Sequence, residues 1–409
     1  MLVAAAPLLA AALTRDPLLV SGLAVAHGLP WLVLTLLAGV LVDRVDRRRL
    51  LVVANAARAV AVGLLAVATA TGTAGVVVLY VAVFLVGAAE TVVDNASLAV
   101  LPRLVGRERL DYANGRIFAT QSVLNELIGP PVGAALFAVA ATAAMATGSA
   151  VFAVAAFAMV LLPRRAGRSD VDASGQLTGA GIGAQLVEGL RYFWASRLLR
   201  VVAVMAGVGN LFAAATGGVL VLLVTGEFGL SPAQYGVFLA AGAAGGISAG
   251  LVSERVVARL GAGPVIFLSI MLPAASYVVF VLSDSAWAGG ALAVDCFAGT
   301  VGSVVVTTLR QASVPEHLLG RVTSAYRMIA LGAVPVGGLL SGALASAFRL
   351  RAPFLVGAIA LAVFAVVLAP VLTTRRLDAA IGRGVREGTL RACKSKTRAF
   401  QGWVAGLTR

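Results

Sequence analysis

Of 409 residues, 60% are hydrophobic and only 12% are charged, a composition that excludes a soluble domain because so few charges cannot cover a water-exposed surface of that size. Thirty-two Lys and Arg against 18 Asp and Glu give a net charge of +14. The basic loops lack the interleaved aromatics that stack bases, which argues against a nucleic-acid partner. The two lysines, Lys394 and Lys396, lie near the end, and no Gly-rich phosphate loop carries one, which argues against ATP hydrolysis. Two cysteines, Cys296 and Cys393, show no metal-ligand spacing and no context for a disulfide. No metal or cofactor is expected, and no nucleophile–base arrangement marks an enzyme.

In chain order, residues 1–13 are apolar but too short to cross a hydrocarbon core of about 30 Å at ~1.5 Å per residue. They lack the positive n-region of a signal peptide. They read as the outer half of a truncated first helix, whose inner half either lies upstream of Met1 or has been lost. Spans of about 20 residues follow near 18–42, 50–70, 75–99, 117–140 and 144–162. A polar interval, 163–199, opens Pro163-Arg164-Arg165 and closes on Gln185 to Trp194, which reads as an amphipathic helix at the inner membrane surface. Six more spans follow near 200–225, 232–253, 264–283, 286–308, 322–346 and 352–373. Residues 375–409 form a basic tail with Arg391, Lys394, Lys396 and Arg398, read as a cytoplasmic segment that touches anionic lipid.

The arginines alternate between loops. Arg44 and Arg47 to Arg49, Arg103 to Arg109, Arg164 to Arg168, Arg255 and Arg259, and Arg310 and Arg321 occupy every second loop, whereas the others hold only Arg15, Arg349 and Arg351. This is the positive-inside pattern of a multi-pass protein of the cell membrane. It places the basic loops and the C-terminus in the cytoplasm.

A loop signature occurs once per half. Ala38-Gly39 is followed by three apolar residues, Asp43, Arg44 and Val45; Ala249-Gly250 is followed by three small or apolar residues, Glu254, Arg255 and Val256. Repeated halves of this kind predict two pseudo-symmetric six-helix bundles, residues 1–162 and 200–374, an architecture that secondary transporters use.

The stretch Gly39 to Arg49 resembles the loop 2–3 signature of the major facilitator superfamily, with Asp46 in place of its second Gly. Ala89-Glu90-Thr91-Val92-Val93-Asp94-Asn95-Ala96, Leu101-Pro102-Arg103-Leu104-Val105, Tyr112-Ala113-Asn114-Gly115-Arg116, Glu188-Gly189-Leu190-Arg191 and Val314-Pro315-Glu316-His317-Leu318-Leu319-Gly320-Arg321-Val322 are similar to the branch containing enterobactin-type siderophore exporters and macrolide-efflux proteins. The resemblance runs from residue 1 to about 377. It implies an all-α membrane protein with the major facilitator fold, acting as a monomer. It also implies proton-coupled efflux of a small amphipathic molecule such as a drug, macrolide or siderophore. Uptake of a metabolite, or a degenerate membrane protein that transports nothing, are the alternatives.

The resemblance implies a gating role for Gly39, Asp43, Arg44, Arg48 and Arg49, through charge contacts where the two halves meet on the inner side. Gly129-Pro130-Pro131-Val132-Gly133 resembles the fifth-helix motif of drug/proton antiporters. There Gly129, Pro130 and Gly133 permit a kink and close helix approach. Glu90 and Asp94, four apart, share a helix face. A carboxylate at membrane depth marks a functional site by default, so the pair either binds a cation, carries a proton, or forms a structural cluster with Arg58. Glu126 is a proton or cationic-substrate candidate on the same ground. Asp295 and Asn210 stand in apolar runs of the second half, either in the transport site or as interhelical hydrogen-bonding residues. His27, alone on an apolar helix, reads first as a packing residue, with a proton or substrate role as the alternative.

Overall fold

The computed structural model describes residues 1–105, 117, 120–121, 124–125, 128–163, 191–283, 287–314 and 319–372. With no water inside a bilayer, each span must satisfy its own backbone, and the apolar runs do so as α-helices. The first half holds α1 (Leu2–Leu13), α2 (Pro17–Arg44), α3 (Arg47–Ala70), α4 (Val76–Val105), α5 (Gly129–Val139) and α6 (Ala141–Val160). The second half holds α7 (Arg197–Leu222), α8 (Pro232–Leu260), α9 (Ala262–Leu282), α10 (Ala288–Ser313), α11 (Leu319–Ala347) and α12 (Ala352–Leu372). Ten of these are long and apolar enough to cross a membrane; α1 and the described part of α5 are shorter.

Local chemistry sets the helix starts. Asp16 accepts a hydrogen bond from Leu18 N at 2.8 Å, and Pro17 occupies the first turn of α2. Asp46 accepts from Arg49 N at 3.0 Å and caps α3. The residue that departs from the loop 2–3 signature thus has a structural task, because a carboxylate there satisfies an orphan N–H and offsets the positive helix end. Ser231 and Gln234 form a reciprocal capping box on α8. Gly261 turns α8 into α9 at φ +80°, a conformation only glycine adopts freely.

Packing repeats between the halves. In the first, α1 lies on α5, α2 on α4, α3 on α4 and α3 on α6. In the second the same pairs recur six helices later: α7 on α11, α8 on α10, α9 on α10 and α9 on α12. The joints between halves are a matched pair as well, α2 on α11 and α5 on α8. This is the pseudo-two-fold order that the repeated loop predicts.

One face of the bundle carries Arg47 to Arg49, Arg197, Arg200, Arg255, Arg259 and Arg310 and is termed the basic face. The two halves meet at glycines toward the opposite face. A Cβ on Gly28 of α2 would lie 3.3 Å from Pro335 of α11, and one on Gly338 would lie 3.2 Å from Ala24. On the other joint, a Cβ on Gly236 of α8 would lie 2.9 Å from Cα of Pro131 in α5. Small residues let backbones approach where lipid supplies no hydrophobic drive.

Two further segments add detail to this picture. Residues 191–195 are helical, but Phe193 is buried with Leu199, Val314 and Val322, and the Tyr192 hydroxyl donates to Ser313 O at 3.1 Å. This end of the linker docks Tyr192 and Phe193 on the basic ends of α7, α10 and α11, while Trp194 stays exposed. Residues 164–190 and the tail fall outside the described residues. Gly129 and Pro130 stand in the first turn of the described part of α5, directly after π-type residues at 124, 125 and 128.

On the opposite face of the second half, Arg351 clamps three elements. Its Nε donates to Glu227 Oε2 at 2.6 Å and its Nη1 to Val281 O at 2.8 Å, and the guanidinium stands 5.8 Å from the Phe228 ring. Arg351→Ala removes charge-assisted bonds and is expected to cost about 2 kcal/mol. A fall in the thermal unfolding midpoint of the detergent-solubilised protein checks this; Arg351→Lys should recover only part of it, lacking the fork.

Candidate functional site

Among the described residues, two polar regions lie inside the bundle, one in each half. In the first half, α2, α3 and α4 bring His27, Arg58, Glu90 and Asp94 together. The close approach depends on Gly87: a Cβ there would sit 2.8 Å from His27 O. One turn further along α4, Glu90 meets both neighbours. Its Oε2 lies 3.2 Å from His27 Nε2 and its Oε1 lies 3.8 Å from Arg58 Nη2. Arg58 is nearly enclosed, its side chain 9% exposed. It stands 5.3 Å over the Phe152 ring of α6 and 3.5 Å from Asn55 Oδ1. A buried guanidinium costs several kcal/mol to desolvate, and the carboxylate, amide and ring face together offset that. Asp94, half-buried, lies in electrostatic range of Glu90, Arg58 and, from α11 of the other half, Arg327.

The second half forms a partly open cavity of about 300 Å³ between α7, α9, α10, α11 and α12. Asp295, Asn210, Tyr277, Tyr326, Ser269 and Ser303 supply its polar lining, with Met205, Ile270 and Phe364 among the apolar part. Glycines create the space: a Cβ on Gly209 or Gly299 would meet nothing within 4 Å. The Asn210 amide donates to Ala330 O at 2.8 Å and ties α7 to α11, which leaves its oxygen for the cavity. No hydrogen bond or ion pair to Asp295 is present among the described residues. Asp295 sits in the first third of α10 (Ala288–Ser313), on the side of the opposite face. A carboxylate among hydroxyls, an amide and aromatic rings can hold a proton or a positively charged group while the rings take up apolar surface.

The sequence candidates thus divide. Glu90, Asp94 and Arg58 come together; Asp295 and Asn210 line one cavity. Tyr277, Tyr326, Ser269, Ser303 and Arg327 escape sequence reasoning because hydroxyls and helix-end arginines are ordinary in such helices. Glu126 lies outside the described residues. Gly39, Asp43 and Arg44 fall in the last turns of α2, and their side chains lie outside the described residues too. Of the other loop residues, Arg48 donates from its Nη2 to Val160 O at the C-terminal end of α6, a contact within its own half that suits the negative helix end. Gly129, Pro130 and Gly133 are buried, and a Cβ on Gly133 would lie 2.8 Å from Cα of Met1, so this motif seats α1 as well as α8.

Comparison with known proteins agrees with this architecture. A family model described as a transmembrane secretion effector matches residues 1–383. The chain is 28% identical over 367 residues to the multidrug efflux pump Tap of Mycolicibacterium fortuitum, covering 87% of this chain and 88% of that protein. It is 29% identical over 369 residues to Tap of Mycobacterium tuberculosis, covering 86% and 84%. Among solved structures, the nucleoside transporter NupG superposes with a TM-score of 0.68 at 12% identity, over 88% of this chain and 91% of that one. A bacterial homologue of the iron transporter ferroportin, in its inward-facing state, gives 0.62 at 16% identity over 91% and 97%. At those identities the structures speak for the fold alone. The repeated bundles, the polar residues inside them and the match along most of the sequence lead to one assignment: the chain is a multi-pass membrane protein of the transmembrane secretion effector family of major facilitator transporters.

Proposed function

We propose that this transporter exports a small amphipathic molecule in exchange for protons. The observation that carries the reading is Asp295, a carboxylate with no hydrogen bond or ion pair among the described residues, lining a cavity of about 300 Å³ at membrane depth. A group so placed is costly unless a ligand or proton uses it. The likeness to efflux pumps supports the direction of transport, and the arginine pattern supports a cytoplasmic basic face. Residues 1–162 and 200–374 would rock as two bodies about α2–α11 and α5–α8, joined through 163–199. Asp43, Arg44, Arg48 and Arg49 would help close the basic side, and Glu90, Asp94 and Glu126 are the further carboxylates open to proton or substrate.

The test uses vesicles that hold the protein and a pH dye. Hydrophobic cations, macrolides and siderophores are added in turn. A substrate-induced pH change, lost in Asp295→Asn or Glu126→Gln, supports antiport. Substrate movement without proton movement would sink the coupling. Gly299→Phe is expected to fill the open space and raise the half-saturating substrate concentration at least about tenfold, the effect of losing ~1.4 kcal/mol of binding. The concentration dependence of initial rates reads it.

A further inference from the structure

Two cation-forming side chains converge on one carboxylate in the first half, and only one of them can change its charge. Arg58 is permanently charged and almost enclosed, whereas the His27 side chain is 49% exposed and Glu90 37% exposed. Imidazole is the side chain whose ordinary titration falls near neutral pH. The Arg58–Glu90 pair is neutral as it stands. A proton on His27 gives the His27–Glu90–Arg58 trio one net positive charge and turns the His27–Glu90 contact from a hydrogen bond, possible only with Nε2–H, into an ion pair between imidazolium and carboxylate.

The position of His27 gives that change a lever. Its backbone carbonyl lies against Gly87 of α4, and the next residue, Gly28, lies against Pro335 of α11. α2 is therefore braced on its own half at residue 27 and on the other half at residue 28. We propose that His27 is a proton-bearing switch of transport: an imidazolium at position 27 bonded to Glu90 holds α2 against α4 and favours closure of the opposite face, and loss of that proton to water weakens the tie. The proposal rests on the transporter reading above. It gives the proton the direction antiport needs, since a protonated carrier would close outside and open inside.

The other groups facing this site are accounted for helix by helix. α4 supplies Glu90 and Asp94, and Tyr80, whose hydroxyl donates to Leu19 O near the opposite face. α3 supplies Arg58, and α11 supplies Arg327 in electrostatic range of Asp94. α1 carries no charged side chain, and those of α7 are Arg197 and Arg200, at the basic end.

The experiment measures closure directly and needs no substrate. With Cys296→Ala and Cys393→Ser as background, Arg15→Cys and Phe348→Cys place spin labels on exposed residues of the two halves at the opposite face. Their separation is measured in nanodiscs between pH 5.5 and 8.0. The expected result is a rise of about tenfold in the open-to-closed ratio with rising pH, the change that one linked proton gives per pH unit at most. His27→Gln, which keeps a donor and cannot ionise, should remove the dependence, and so should Glu90→Gln. An unchanged pH response in a folded His27→Gln protein overturns the proposal. So does a parent protein whose label separation ignores pH. A second measurement avoids any folding doubt: the chain has two histidines, so in His317→Gln the nitrogen-15 imidazole spectrum reports His27 alone, and a single charge state across this pH range also overturns it. The vesicle assay decides the efflux reading separately, since a substrate-induced pH change with pH-insensitive labels rejects the switch and keeps antiport.

Discussion

Asp295→Asn is expected to lower the rate of export about a hundredfold while leaving the protein folded. The argument is one of charge at constant shape. Asn keeps the size of the side chain, and the tether that holds the cavity together, Asn210 to Ala330 O, does not involve position 295. What disappears is the charge, and with it the ability to hold a proton or pair with a cationic group. A charge-assisted hydrogen bond contributes roughly 2–3 kcal/mol, which at ~1.4 kcal/mol per factor of ten gives the hundredfold loss. Two assays divide the roles. Counterflow exchange of labelled for unlabelled substrate needs no net proton movement, so it survives if Asp295 carries only the proton and is lost if Asp295 grips the substrate. Export within a factor of about two of the parent rate would mean that the cavity is a packing defect and that the transport site lies elsewhere.

How much of this was legible in the sequence depends on the range of the interactions. Span order and the two halves follow from local hydropathy and from the loop repeated at Asp43 and Glu254. Helix starts follow from residues such as Asp16 and Ser231, whose caps act within three positions. Even the departure at Asp46 has a local reason, since it caps α3. Asp295 and Asn210 stood out because a polar side chain in an apolar run has no cheap alternative. Their shared cavity was not visible, because it is assembled from five helices and from space left by Gly209 and Gly299. His27 looked like a packing residue for the same reason. Its contact with Glu90 spans 63 positions and depends on the missing Cβ of Gly87, which no periodicity reveals.

The closing joint and the interior of a half are built from the same kind of contact, yet they should answer differently to the same substitution. A Cβ on Gly342 of α11 would press into Ser21 Oγ and lie 2.7 Å from Leu18 Cα, both on α2. A Cβ on Gly245 of α8 would press into Ala293 O and lie 2.7 Å from Ala293 C, on α10. Backbone atoms so near cannot yield by turning a side chain, so something larger must move. At Gly342 the obstacle belongs to the other half, and in the proposed rocking mechanism the two halves separate here. At Gly245 the obstacle belongs to the same bundle, where no functional motion relieves it. Gly342→Val is therefore expected to stay folded and shift toward the form open on the opposite face. An overpacking cost of about 1–3 kcal/mol moves the ratio by at least about fivefold, read as a longer distance between labels at positions 15 and 348. Gly245→Val is expected to lose that energy from folding itself, lowering the unfolding midpoint and the yield of monodisperse protein, with no change in label distance for what remains folded. If both variants simply unfold, or if Gly342→Val leaves the distance unchanged, then α2 and α11 do not part along Ser21 and Gly342, and the moving joint lies elsewhere.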